Sequence, residues 1–217
     1  MKDLRLEHFR NLQALARTGL HFCKDEYDRE RYEAIERIAS ELLAAGAGAD
    51  PAELRAEWSR EGGYVTPKVE VRGAVFRPAD GKVLLVRETV DGLWTLPGGF
   101  MENDETTQEA ALRETREEAC ARIDLHGLYA YFNLPHINQV HLFYRATLLD
   151  LDFAAGPESL EVGLFGHEEI PWPEIAFPAV GNTLEHYFND LPGGHFPLRA
   201  ADVVLTPERQ RLIRPAN

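Results

Sequence analysis

The chain has 217 residues, with 36 Asp plus Glu against 23 Lys plus Arg, a formal net charge of −13, and its 44% hydrophobic and 27% charged content is that of an ordinary globular protein. That acidity argues against a partner held by its phosphates, because nucleic-acid binding needs a basic face to displace counterions, and it argues equally against docking on anionic lipid. The length suits one generous domain, or a domain with an appendage.

Residues 1–63 read as wholly helical, a small N-terminal domain. Leu6, Phe9 and Leu12 to Leu15 form a first apolar run that ends at Gly19, a candidate left-handed helix stop. Ile35, Ile38, Ala39, Leu42 and Leu43 follow the i, i+3, i+4, i+7, i+8 pattern of a helix with one buried face. Asp50-Pro51, an N-cap acid followed by proline at the first helical position, predicts a third helix that stops near Gly62-Gly63. Three short helices bury little alone, so they are expected to pack on the rest of the chain or on a second copy in a homodimer. Charges recur too often in MKDLRLEHFRNLQALARTGL for a secretory signal, and no stretch approaches the roughly 20 apolar residues that cross a bilayer; a cytoplasmic location is the expectation. Cys23 and Cys120 have no spacing suited to a disulfide framework or to zinc.

From residue 64 to 217 the pattern is that of a mixed α+β domain. Val69, Val71, Ala74-Val75-Phe76 and Val83 to Val86 predict two strands joined by a turn at Pro78-Ala79-Asp80-Gly81. Trp94-Thr95-Leu96 predicts a short strand that runs into Pro97-Gly98-Gly99, and a helix is expected over Thr107 to Ala119. Further strands are expected at Leu125 to Phe132, His141 to Leu149 and Glu161 to Phe165, with a last helix over Phe177 to Asn189.

The chemistry concentrates between Gly98 and Ala121, where residues 102–118 carry seven acids against two arginines. Thr106 and Glu109 have the spacing of a capping box, which gives the helix a defined start. At about 100° per residue, Glu114, Glu117 and Glu118 share one stripe roughly 100° wide. Like charges so placed cost a few tenths of a kcal/mol each, about 0.2–0.5, so the stripe gains nothing from a purely structural role and is suited to a divalent cation. Glu105, Glu109, Arg113 and Glu117 lie on a second stripe, where Arg113 can bridge acids one turn before and one turn after it. The paired glycines allow close backbone approach and could aim a carbonyl oxygen at the same cation.

This segment resembles the Nudix box: glycine, five residues, glutamate, seven residues, then R-E-U-x-E-E-x-G-U with U a bulky aliphatic. Gly99, Glu105, Arg113, Glu114, Glu117 and Glu118 stand at its fixed positions; Thr115, Cys120 and Ala121 depart from it. The stretches Leu15 to Leu20 and Asp25 to Tyr32 are similar to the helical N-terminal domain of bacterial Nudix enzymes that act on CDP-choline or ADP-ribose. Pro135 to Val140 and Gly156 to Glu161 are similar to members that hydrolyse ADP-ribose and FAD.

The resemblance implies a Nudix α/β/α sandwich with a mixed sheet behind a small helical domain, and metal-dependent hydrolysis of the diphosphate in a nucleoside diphosphate linked to another moiety, with ADP-ribose favoured over CDP-choline or FAD. A non-catalytic regulatory module of the same fold is the alternative from another class, and clearance of oxidised nucleoside triphosphates is a third. Mg2+ or Mn2+ would be held by Glu114, Glu117, Glu118 and the Gly99 carbonyl, with Arg113 supporting them and Glu158 as the later-loop base. Phe100, Trp94, Arg72, Tyr131 and His136 are the candidate substrate contacts.

Overall fold

Leu4–Phe22 forms helix α1, Glu26–Ala47 forms α2 and Pro51–Ser59 forms α3. They belong to the first of two compact units, Met1–Thr66 and Pro67–Asn217. The computed structural model describes residues 4–47, 50–59, 65–152, 156, 159–205 and 211–216. The expected glycine stop at 62–63 and the candidate base Glu158 lie outside the described residues.

Asp25 caps α2 through Oδ1, which accepts from the amides of Tyr27 and Asp28, and Asp50 caps α3 by accepting from the amide of Ala52 at 2.7 Å. Gly19 is not a helix stop. Helix α1 runs three residues past it, and Cys23 N–H bonds back to Gly19 O at 2.8 Å. A Cβ at Gly19 would collide with the Tyr32 ring, so the glycine serves the close approach of α2 rather than a left-handed turn. The stripe expected to be buried on α2 is split: Ala39 is fully buried beside Ser40 and Ala44, whereas Ile38 and Leu42 are exposed, as are Leu12 and Leu15 on α1.

The second unit is a nine-stranded mixed sheet formed by β1 (Lys68–Phe76), β2 (Val83–Glu88), β3 (Trp94–Thr95), β4 (Gly98–Phe100), β5 (Ala121–Leu134), β6 (Gln139–Leu151), β7 (Ser159–Phe165), β8 (Arg199–Leu205) and β9 (Arg211–Pro215). The order is β3-β2-β1-β6-β5-β8-β9, with β4 paired to β1 and β7 paired to β2. Strands β1 and β6 are parallel and in register from Lys68↔Gln139 to Phe76↔Thr147. The hairpin expected between β1 and β2 pairs at its tip, Phe76↔Val83, across the turn closed by Gly81 at φ 69°. Beyond the tip the strands part, β1 to β4 and β6, and β2 to β3 and β7.

Helix α4 (Thr107–Ala119) packs on one face of the sheet and α5 (Pro178–Asp190) on the other. Val71 meets Ala110, Ala111 and Tyr144 on the α4 side. Ala74, Phe76, Phe132 and Phe143 meet Val180, Leu184 and Tyr187 on the α5 side. Covering both faces explains why β1 is buried without interruption from Glu70 to Phe76 instead of alternating. Strands β8 and β9 were not expected from the sequence, and β5 begins four residues earlier than the apolar run suggests. Among the described residues no helix is long and apolar enough to cross a membrane.

Candidate active site

The site is organised by the start of α4. Thr106 Oγ1 accepts from the amide of Glu109 while the Glu109 carboxylate accepts from the amide of Thr106 at 2.8 Å, so both halves of the capping box are made. Glu109 is thereby spent on the cap, and it is Glu105 that becomes the upstream partner of Arg113. Arg113 binds Glu105 through both arms, Nε to Oε2 at 3.0 Å and Nη2 to Oε1 at 2.8 Å. Its Nη1 reaches Glu114 at 2.9 Å and Glu117 at 3.1 Å, and Nη2 also donates to the carbonyl of Phe100 at 3.3 Å. The guanidinium therefore joins the β4 end, the leading loop and the acidic face of the helix. It holds the Glu105 carboxyl down at about 2, together with the Glu102 amide.

Glu114 and Glu118 are both buried, and each lies against one of the paired glycines. Glu118 Oε2 accepts from Gly98 N–H at 2.8 Å. A Cβ at Gly99 would stand 2.7 Å from Glu114 Oε1, and one at Gly98 would collide with Val71 O and the Arg72 side chain, so only glycine admits both carboxylates to the loop. Burial pushes the Glu118 carboxyl up to about 7, against the opposing pull of the Gly98 amide and the nearby Arg72. Glu117 is different in kind: its side chain is 58% exposed, at the rim, where it pairs with Arg113. Among the described residues no three acidic, histidine or cysteine side chains converge as a cluster that could hold a metal ion.

The donor chemistry nevertheless fits a hard divalent cation. Carboxylate oxygens crowd a backbone turn in a space that any side chain at Gly99 would fill, and Glu118 carries a burial cost that a bound cation offsets.

The remaining candidates are dispersed. Phe100 is exposed beside the site, with Lys68 Nζ 5.9 Å from its ring centroid. Trp94 is buried in the α5-side core, edge-on to Phe165. Arg72 is 4% exposed and committed to Glu70, Thr95 and the Leu96 carbonyl. Tyr131 is half-buried in β5, in register with Leu142. His136 sits in the β5–β6 turn, with Nδ1 3.2 Å from the Val203 carbonyl. Two groups that sequence reasoning passed over border the site. Glu88 ends β2 with Oε1 3.6 Å from Arg72 Nη1, its carboxyl raised by burial, and its signal was an acid closing an apolar strand. Gly156, buried, donates its N–H to the Glu118 carbonyl at 3.0 Å and so ties the approach to β7 to the end of α4.

Two families match the chain: a UDP-X-like, N-terminal oligomerisation domain over residues 5–57, and the NUDIX domain over residues 67–187. YjhB of Bacillus subtilis (strain 168), provisionally named an ADP-ribose pyrophosphatase, is 35% identical over 173 residues, 76% of this chain and 82% of YjhB. A NUDIX hydrolase from Nitrosomonas europaea shares 47% identity over 64% of this chain and 81% of its own, with a TM-score of 0.58. A UDP-X diphosphatase structure covers 89% of this chain and 96% of its own at 26% identity and a TM-score of 0.54. The chain belongs to the Nudix family, and it is a Nudix hydrolase.

Proposed function

We propose that this hydrolase cleaves the diphosphate of a nucleoside diphosphate linked to another moiety in a reaction dependent on Mg2+ or Mn2+, with ADP-ribose the favoured substrate. The observation that carries the reading is the seating of Glu114 and Glu118 on Gly98-Gly99 by a capped, Arg113-braced helix. A regulatory module without catalysis has no use for two buried carboxylates seated on a glycine turn, one of which, Glu118, is buried against its own charge. The name of YjhB supports ADP-ribose. A second reading, a UDP-linked substrate, is favoured by the description of the N-terminal family and by the near-complete coverage of the UDP-X diphosphatase structure. CDP-choline and FAD remain alternatives from the sequence resemblance.

Glu114, Glu117 and Glu118, with the Gly99 carbonyl, would hold the metal, which when bound supplies neutralisation of the diphosphate charge and a more acidic water. Arg113 keeps Glu114 and Glu117 in register with Glu105 for that task, and stays protonated throughout because its carboxylate partners raise its pKa. A proton from the attacking water must go to a base. Glu158 is proposed for this role on the sequence resemblance alone, as the acid of the loop before β7. The substrate contacts of this proposal are Phe100, exposed beside Arg113, and more distantly Tyr131 and His136. A homodimer through the helical unit is proposed as well, because Leu12, Leu15, Ile38 and Leu42 are exposed there and the matching family is described as an oligomerisation domain.

A panel of ADP-ribose, UDP-linked sugars, CDP-choline, FAD and 8-oxo-dGTP, with Mg2+ and with Mn2+, tests the reading beside Glu118→Gln. ADP-ribose is expected to turn over fastest and Glu118→Gln to lose at least 100-fold. An intact panel with both metals would leave the regulatory module as the explanation.

A further inference from the structure

We infer that Arg72 is a positioning residue for the carboxylate site, acting through the backbone of residues 95–99 rather than touching substrate; this rests on the reading that Glu114 and Glu118 hold a divalent cation. Glu70, Arg72, Ala74 and Phe76 alternate onto the α5 side of the sheet, whereas Glu118 approaches from the α4 side. Arg72 thus works from behind. Its Nη1 donates to Leu96 O at 2.8 Å and to Thr95 Oγ1 at 2.7 Å, and one residue along the strand Gly73 N–H donates to Pro97 O at 2.8 Å. Gly98 then lies directly over the Arg72 side chain, with its own N–H turned to Glu118.

The chemistry of residues 96–97 explains why a side chain is needed here. Strand β3 ends at Thr95, the β1–β4 ladder begins at Gly98 opposite Arg72, and Pro97 has no N–H, so between the two ladders the backbone is held by the single bond from Gly73 N–H to Pro97 O and by side-chain donors. Arg72 supplies the missing donors. Its remaining contacts hold the guanidinium still: Nε to Glu70 Oε1 at 2.6 Å, and the Phe177 ring 4.9 Å from Cζ. Glu70 is in turn held by His141, whose Nε2 is 3.2 Å from Oε2. A buried ion pair of this kind is poor evidence of stabilisation, since apolar replacements of similar size are often neutral or better. Its use is geometric, to place Gly98 where Glu118 meets it.

The test compares full-length parent, Arg72→Met, Glu70→Gln/Arg72→Met and Thr95→Val. Two readouts need no substrate: Mn2+ affinity by calorimetry and the amide resonance of Gly98. Metal sites typically lose 10–100-fold in affinity when such outer partners are removed, and that loss is expected for the double variant, with a displaced Gly98 resonance and an unchanged KM for ADP-ribose. Arg72→Met alone strands Glu70 in the interior, so the double variant, which removes both charges, is the decisive form. If neither folds, Thr95→Val decides, since it removes one acceptor without altering charge; a several-fold weaker Mn2+ affinity and a shifted Gly98 amide are expected. Parental Mn2+ affinity with an unmoved Gly98 amide in a folded variant overturns the inference. So does a raised KM with metal binding intact, which would place Arg72 on the substrate. A parent that binds Mn2+ yet cleaves nothing removes the hydrolase reading alone.

Discussion

Gly156 lies so close to Glu117 that a Cβ at position 156 would run into the Glu117 carbonyl oxygen. Its N–H is bonded to the next carbonyl, that of Glu118, and its own carbonyl accepts from Ser159 N–H at 3.1 Å. Gly156 is therefore fastened to the last turn of α4, at Glu117 and Glu118, two of the three glutamates of the proposed site. Gly156→Ala must push these segments apart. Overpacking of this kind costs about 1–3 kcal/mol, and a melting temperature lower by about 2–12 °C is expected in calorimetry. Hydrolysis is expected to fall about tenfold with Mn2+ saturating, because the shift falls on the carboxylates as well as on the core. A variant with parental activity would show that the approach to β7 has no part in catalysis.

Cys120 stands where the Nudix box has its glycine, and it closes α4 at φ 49°, ψ 33°, with its N–H bonded to Arg116 O at 3.0 Å. The left-handed conformation costs a residue with a Cβ roughly 1–2 kcal/mol, partly offset in glycine by the greater entropy of its unfolded chain. Cys120→Gly should therefore gain about 1 kcal/mol in urea unfolding and leave kcat unchanged. A loss of stability would mean that the cysteine side chain packs better than its backbone suffers.

Glu118 makes the stability of the metal-free protein dependent on pH. Its carboxyl is raised from 4.5 to about 7 by burial, so between those values the folded state holds a proton that the unfolded chain has released. Folded stability is then fully present below about pH 4.5 in this respect and is lost as pH rises through about 7, by on the order of 3 kcal/mol. In chelator-treated protein, Glu118→Gln is expected to be more stable than the parent at pH 8 and equal to it near pH 4.5. Adding Mn2+ at pH 8 should raise the melting temperature of the parent and not that of the variant.

Arg113 spans five oxygen acceptors with one planar guanidinium, a geometry that a lysine ammonium cannot copy. Arg113→Lys is expected to fold and to lose about 10–100-fold in kcat through misplaced carboxylates. In carboxyl-resolved NMR titration of Arg113→Met, Glu105 should leave its depressed value of about 2 and return toward the ordinary carboxylate range. If Glu105 stays depressed, the Glu102 amide and not Arg113 controls it.

The box helix was legible because its information is local. Thr106 and Glu109 specify the start of α4, and the spacing of Arg113, Glu114, Glu117 and Glu118 assigns each charge to a face without reference to the rest of the chain. The three N-terminal helices and the α-then-mixed order follow for the same reason: hydrophobic periods of 3.6 and 2 can be counted along one segment. What the periods could not tell was who lies across from whom. Gly19 reads as a stop until Tyr32 is beside it, and Arg72 and Trp94 read as ligand contacts until the sheet places Leu96 and Phe165 against them. Strand β8 pairs with β5, residues about 70 positions distant, and β9 pairs with β8 in turn. The residue types of the proposed site and their helical spacing are written in order along one segment, so they can be read without the fold. How those groups are held emerges in the fold, because register, burial and the approach of Gly98 and Gly156 to α4 are set by contacts between residues far apart in the chain.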